Sequence, residues 1–185
     1  FVGGGTMGSV TPLLAVAEAL RQSQISNFKF QIRFWGTRAG PERSVVEDAG
    51  ISFHAIPAGK LRRYWDFRNI LDALVIAWAL VIACVRLVRW RPDVVIGAGS
   101  YVQVPVLWAA GILRIPFLIH QQDVLPGLAN RLTAPFASVV TVTFPETARA
   151  FRGRRVMVVG NPVRSAILAA RARMDRARHD LLAGT

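Results

Sequence analysis

The first twenty residues constrain everything that follows. Phe1-Val2 is a short apolar stub, Gly3-Gly4-Gly5-Thr6-Met7-Gly8-Ser9 is a glycine-rich turn, and Leu13, Val16, Ala17 and Leu20 recur at helical spacing. Thr11 is expected to cap this helix, with Pro12 at the first helical position, where a missing N–H costs nothing. Strand, glycine turn and helix N-terminus in that order favour an anion, because backbone N–H groups and the helix dipole point at it. The pattern G-x-G-x-x-G fits residues 3–8, but its free positions accept any residue. By itself it does not separate a ligand loop from a tight strand-to-helix turn. Residues 24–33 hold no Asp or Glu, whereas a NAD-binding unit wants an acidic residue about 20 positions past the loop. A NAD-dependent dehydrogenase is therefore disfavoured.

Further along, short apolar runs alternate with helical patterns. Strands are predicted at 28–35, 51–56, 94–96, 115–120, 138–143 and 156–159. Helices are predicted at 41–49, 67–90, 102–113, 125–136 (broken near Pro135), 145–151 and from 163 onward. Residues 58–66 form a basic and aromatic loop. This alternation predicts an α/β fold, a Rossmann-like doubly wound parallel sheet with helices on both faces. Ligands of such sheets gather at the C-terminal ends of the strands. The turns at 3–9, 97–101, 120–123 and 160–164 should therefore open on one edge. The domain is expected to cover residues 1–162, followed by a basic helix over 163–185. The chain opens inside its first strand and stops after a helix, which predicts a piece of a longer protein.

The segment 70–85 carries one charge, Asp72, within a chain that is 52% hydrophobic and has a formal net charge of +12. Lys60, Arg62, Arg63 and Arg68 precede it, Arg86 and Arg89 follow it, and Trp65 and Trp78 are interleaved. A spanning helix needs about 20 apolar residues, and this one also lies between two strands of one predicted sheet. The expected arrangement is a crossover helix with one face on the sheet. The other face, with Trp65 and the basic rim, lies on an anionic bilayer, where tryptophan and arginine suit the interface. A protein partner is the other possible cover. The single cysteine, Cys84, excludes an intrachain disulfide and reads as a small core residue. The three histidines have no metal-ligand spacing, so no metal is expected. The C-terminal arginines come with no nucleic-acid motif, and nucleic acid is not an expected partner.

Four separated stretches, in order, resemble the MurG family of glycosyltransferases. They are Gly4-Gly5-Thr6-Met7-Gly8-Ser9; Pro92-Asp93-Val94-Val95-Ile96-Gly97-Ala98-Gly99-Ser100-Tyr101; His120-Gln121-Gln122-Asp123 with Gly127-Leu128-Ala129-Asn130; and Gly160-Asn161-Pro162-Val163-Arg164. The resemblance covers the N-terminal half of a two-domain GT-B architecture. It implies a bacterial enzyme of peptidoglycan synthesis, peripheral on the cytoplasmic face of the cell membrane. The implied reaction is an inverting transfer of N-acetylglucosamine from UDP-N-acetylglucosamine to a lipid-linked muramoyl-pentapeptide. No cofactor is implied beyond that donor, which is held mainly by a C-terminal domain absent from this chain. By the same resemblance, Thr6, Met7, Gly8, Asp123 and Arg164 lie by the donor. Gly4, Gly5, Gly97, Gly99, Ser100 and Tyr101 suit the acceptor diphosphate. His120, Gln121, Gln122, Asn130 and Asn161 belong to the remaining motif positions.

The departures concern the chemistry. The family pattern Gly-Gly-Thr-Gly-Gly-His has Met7 in place of a glycine and Ser9 in place of the histidine. His-Glu-Gln-Asn has Gln121 and Asp123 in place of the glutamate and asparagine, and Gly-Gly-Tyr becomes Gly99-Ser100-Tyr101. Serine takes no proton near neutral pH without help. Asp123 is the new carboxylate at these loops, and with Ser9 it is the candidate for base or hydroxyl-binding work. Two other readings stay open: a membrane-docked binding domain without catalysis, and a GT-B transferase with another lipid-linked acceptor.

Overall fold

A computed structural model describes residues 1–23, 30–59 and 68–183. Six strands are formed: β1 (Arg33–Gly36), β2 (Ser52–Ala55), β3 (Val95–Gly97), β4 (Phe117–Gln121), β5 (Val139–Val142) and β6 (Val156–Val158). β1 pairs with β2, and β3, β4, β5 and β6 pair in that order, all in parallel. Val2 joins the two sets. It bridges Trp35 on one side and Gly97 on the other, through Val2 N–H to Ile96 O (2.9 Å), Gly3 N–H to Trp35 O (3.0 Å) and Trp35 N–H to Phe1 O (2.8 Å). The sheet order is thus β2, β1, Val2, β3, β4, β5, β6. From Val2 the chain winds outward to β2, then returns to the opposite flank at β3. The reversal of direction falls at Val2, so the crevice beside the glycine turn is the topological switch point where such sheets take ligands.

Helices are α1 (Thr11–Gln22), α2 (Glu42–Asp48), α3 (Arg68–Trp90), α4 (Gln103–Ile112), α5 (Leu128–Thr133) and α6 (Ser165–Ala183). Alternation along the strands serves both faces of the sheet. Phe34 packs with Val10, Leu13, Leu14 and Val46 on the side of α1 and α2. Its neighbour Trp35 packs with Ala79, Ala83, Leu87 and Val106 on the side of α3 and α4. Cys84 lies at the margin of this second core, partly buried, rather than within it.

The element order is as predicted, with shifted ends. α1 starts one residue early: Val10 precedes it, and Thr11 and Pro12 are its first two residues. A 3-10 turn over Met7–Ser9 runs straight into the helix, and the Thr11 hydroxyl turns back to Met7 O (3.0 Å) instead of capping. The strand predicted over 28–35 pairs only at Arg33–Gly36, because its partner β2 is four residues long; residues 28 and 29 lie outside the described residues. The helix predicted over 125–136 starts at Leu128 and gives way to a 3-10 turn at Ala134–Phe136, where Pro135 withholds an N–H. Pro145–Phe151 is a 3-10 segment, not an α-helix.

Candidate functional site at the sheet switch point

The turn after Val2 is shaped from within. Ser9 is buried, and its hydroxyl accepts the Gly4 N–H (3.2 Å) and donates to Thr6 O (3.3 Å). Gly5 has φ +77°, and its α-carbon lies against the Tyr101 ring; a Cβ there would stand 2.6 Å from Tyr101 Cε1. Thr6 and Gly8 are exposed on the rim and Met7 is half-buried. Below the turn, the fully buried Glu42 carboxylate accepts the Thr37 N–H (2.7 Å), the Thr37 hydroxyl (2.5 Å) and the Gly5 N–H (3.2 Å). Burial, and then the Glu42 charge, raise the Tyr101 phenol above its usual 10.0.

The turns after β3 and β4 are tied together by a buried chain of amides. Gln103, fully buried, accepts the Gly99 N–H at Oε1 (2.8 Å) and donates from Nε2 to Asn130 Oδ1 (2.6 Å). Asn130 Nδ2 donates to Gln121 Oε1 (2.7 Å) and to His120 O (3.1 Å). Gln121 Nε2 then donates to Asp123 O (3.0 Å) and Leu125 O (3.2 Å). Gln122 Nε2 adds a bond to Ala98 O (3.2 Å), and Ser100 Oγ reaches Gly4 O (2.7 Å). Every polar end in this chain is matched, which is what makes such a network rigid. Asp123 is exposed at the rim, its backbone held by Gln121 and by the Thr147 hydroxyl (3.5 Å).

His120 is buried at the end of β4. Nδ1 lies 3.0 Å from Thr141 Oγ1 and Nε2 lies 3.4 Å from Asn161 Oδ1. Desolvation lowers its pKa below 6.5 despite the Asn161 bond, so the ring is neutral at pH 7. Arg164 sits at the start of α6 and pairs with Glu18 of α1 (3.7 Å), beside a hydrogen bond from the Ser165 hydroxyl to Glu18. The Ser165 bond, with the Arg164 charge adding to it, holds the Glu18 carboxyl below its usual 4.5. A carboxyl depressed on folding stabilises above its unfolded pKa, and that stability is lost as pH falls through the folded value. The attachment of α6 to α1 should therefore loosen as pH drops below about 4.5. The pH titration of the Ser165 amide resonance checks this, and Glu18→Gln should abolish that transition.

The structure thus gathers Gly4, Gly5, Ser9, Ser100 and Tyr101 into one contact set. It links Gly99, Gln121 and Asn130 through Gln103, and His120 to Asn161. Gly97, the last residue of β3, packs against Gln103. Sequence reasoning missed Glu42, Thr37 and Gln103. A lone amide opening the apolar run 102–113 was a usable signal for Gln103. Glu42 carries no such signal beyond its place at the start of the helix predicted over 41–49.

A second surface lies on α3. Ile76, Ala79, Ala83 and Leu87 face inward, while Leu74, Trp78, Val81, Val85 and Val88 form an exposed apolar stripe, with Trp78 61% and Val85 57% exposed. Beside it, Leu80, Trp108, Gly111, Ile112 and Phe136 line an apolar cleft of about 420 Å³. Arg86 and Arg89 are exposed at its border, and Arg86 donates to Ala55 O (2.7 Å). Lys60, Arg62, Arg63, Trp65 and the Arg68 side chain lie outside the described residues. Among the described residues, α3 is the one helix long and apolar enough to cross a membrane, yet its inner face is part of the core.

Residues 1–142 match the glycosyltransferase family 28 N-terminal domain. The chain belongs to glycosyltransferase family 28. Its curated relatives include the UDP-N-acetylglucosamine–N-acetylmuramyl-(pentapeptide) pyrophosphoryl-undecaprenol N-acetylglucosamine transferase of Clostridium kluyveri, 39% identical over 166 residues. A Bacillus cereus protein of the same name, numbered 2, is 38% identical over 168 residues. These alignments cover 90% and 91% of this chain but 46% of each relative, so this family 28 chain spans about half the length of the relatives it matches. Among solved structures, Acinetobacter baumannii MurG superposes with a TM-score of 0.72 and 31% identity, over 87% of this chain and 44% of that one. A UDP-GlcNAc 2-epimerase from Methanocaldococcus jannaschii matches at TM-score 0.60 and 16% identity, which speaks for the fold alone. The Rossmann-like α/β fold expected from the sequence is the fold of this family 28 domain.

Proposed function

We propose that this chain is the N-terminal, acceptor-binding part of a membrane-associated inverting glycosyltransferase. It transfers N-acetylglucosamine from UDP-N-acetylglucosamine to undecaprenyl-diphospho-muramoyl-pentapeptide, at the cytoplasmic face of the bacterial membrane. The observation that carries this reading is the 39% identity to the Clostridium kluyveri transferase across 90% of the chain. The switch-point crevice supports it: the glycine turn meets the turn after β3 through Ser100 and Gly4, and that turn is tied to the one after β4 through Gln103 and Asn130. In the proposed step, the acceptor hydroxyl oxygen bonds to the anomeric carbon as the carbon–oxygen bond to UDP breaks. The bonding pair leaves with UDP, and the hydroxyl proton passes to the Asp123 carboxylate. Ser9, with its hydroxyl engaged inside the turn, shapes the loop. Arg164, just ahead of α6, is the cation assigned to the donor diphosphate. The exposed stripe of α3 and its arginines rest on anionic lipid.

The test is a transfer assay on the whole gene product that carries this chain, with UDP-N-acetylglucosamine and the lipid-linked acceptor presented in vesicles. Formation of the disaccharide product is the expected result. A folded, vesicle-bound protein that makes no product would favour the second reading, a binding domain or a transferase for another lipid-linked acceptor. That reading draws its support from the serine at position 9 and its buried, committed hydroxyl.

A further inference from the structure

The peptide unit between Gly4 and Gly5 is held from both sides. A trans peptide points its C=O and N–H in opposite directions. Here the carbonyl, Gly4 O, accepts from Ser100 Oγ at 2.7 Å, and the N–H, on Gly5, donates to Glu42 Oε2 at 3.2 Å. Neither partner is loose. Glu42 is fully buried, its other oxygen is fixed by the Thr37 N–H and hydroxyl, and Ser100 is buried with its hydroxyl also accepting the Val102 N–H (3.2 Å). The fit is close enough to exclude side chains: a Cβ on Gly4 would stand 2.3 Å from Glu42 Oε1. Glycine is the residue whose peptide units turn over most readily. A Gly-Gly pair at the floor of a ligand crevice therefore needs an outside restraint to keep one orientation.

We propose that Glu42 and Ser100 form a clamp that fixes the Gly4–Gly5 peptide and so positions the exposed rim Thr6–Gly8 toward substrate. Both are positioning residues. Glu42 works from the first turn of α2, linking the exit of β1 to the glycine turn, and Ser100 links the exit of β3 to the same peptide. The two flanks of the sheet thereby meet on one amide. Ser100 stands where the family pattern has glycine, so this chain closes its side of the clamp with a side chain that Gly-Gly-Tyr lacks. The role in transfer rests on the function proposed above; the clamp itself does not.

Two measurements on the whole gene product test it, using Glu42→Gln, Ser100→Ala and Ser100→Thr. Hydrogen exchange of the segment 1–12 should quicken about ten-fold in Glu42→Gln and Ser100→Ala, for loss of one bond at a buried amide. The segment 103–121 should not change, and Ser100→Thr should restore slow exchange. In the transfer assay, Glu42→Gln should lower kcat/KM for the acceptor about 10²-fold, the cost of misplacing a reacting group by an ångström. Ser100→Thr should recover what Ser100→Ala loses. Unchanged exchange in both Glu42→Gln and Ser100→Ala overturns the clamp. Faster exchange with unchanged transfer overturns the positioning role. A wild-type protein that transfers nothing defeats the proposed function, while exchange still decides the clamp. If Glu42→Gln does not fold, the Ser100 pair decides both questions.

Discussion

Replacing Asp123 by asparagine should lower turnover by about 10²–10⁴-fold, the range for removing a general base. The substitution is nearly isosteric, and the position is anchored through its backbone. Gln121 Nε2 and the Thr147 hydroxyl hold the Asp123 carbonyl, and neither contact uses the carboxylate. Asparagine therefore keeps the turn after β4 in place and removes only the proton acceptor. Steady-state kinetics alongside thermal melting check the expectation: the melting temperature should hold while kcat falls and the acceptor KM changes little. Unchanged turnover in a folded Asp123→Asn variant would remove Asp123 from the mechanism and return attention to the buried, neutral His120. Ser9 offers no equivalent substitution, because its hydroxyl bridges Gly4 and Thr6, and a loss of activity there would confound loop shape with chemistry.

The second large effect concerns binding. The triple variant Trp78→Glu, Val81→Glu, Val85→Glu should lose association with anionic vesicles by roughly 10³-fold or more. Each of these side chains is worth about 1.5–3 kcal/mol when fully removed from water. Each is a little over half exposed, so about half of that is at stake per residue; with about 1 kcal/mol of repulsion per introduced carboxylate at the anionic surface, the three together exceed the roughly 4 kcal/mol that a thousand-fold change in partition requires. All three are exposed, between 52% and 61%, and glutamate is a good helix former, so the fold should survive. The inner residues Ala79, Ala83 and Leu87 are untouched and continue to hold α3 to the sheet. Vesicle co-sedimentation with circular dichroism as the control measures the effect. Retained binding would show that lipid contacts lie elsewhere, and the stripe would then fit a protein cover instead. Neutral vesicles separate the apolar contribution from that of Arg86 and Arg89, each cation near an anionic surface adding about 1 kcal/mol.

What the sequence disclosed follows the range of the interactions involved. The strand–turn–helix opening, the break at Pro135 and the absence of a polar face along residues 73–85 are local, and each is written in adjacent residues. The doubly wound sheet was legible because short apolar runs alternate with helical ones. Non-local partners were not legible. Nothing near Val2 announces that it bridges Trp35 and Gly97. Nothing near Glu42 announces that its acceptors serve Thr37 and Gly5, and the alternation at 28–35 exceeds the four residues that β2 has available to pair. The Thr11 cap failed for a related reason: the turn ahead of it is itself helical, so the chain needed no capping oxygen there. Among the site residues, the motif positions were visible in the sequence, while the buried amide of Gln103 that ties two of them together emerges only when β3 and β4 lie side by side.

The place of Val2 in the sheet also sets an order of assembly. Ribosomes deliver about 5–20 residues per second. Val2, at the central position, waits through the synthesis of α1, β1, α2, β2 and α3 before its second neighbour at Gly97 exists. Contacts so far apart in sequence form slowly, and unpaired apolar edges invite misassociation in the interval. The crevice thus cannot form until β3 and Ser100 have been made, and β4, β5 and β6 extend that flank only afterwards. Because it belongs equally to both flanks, fraying of either one undoes it.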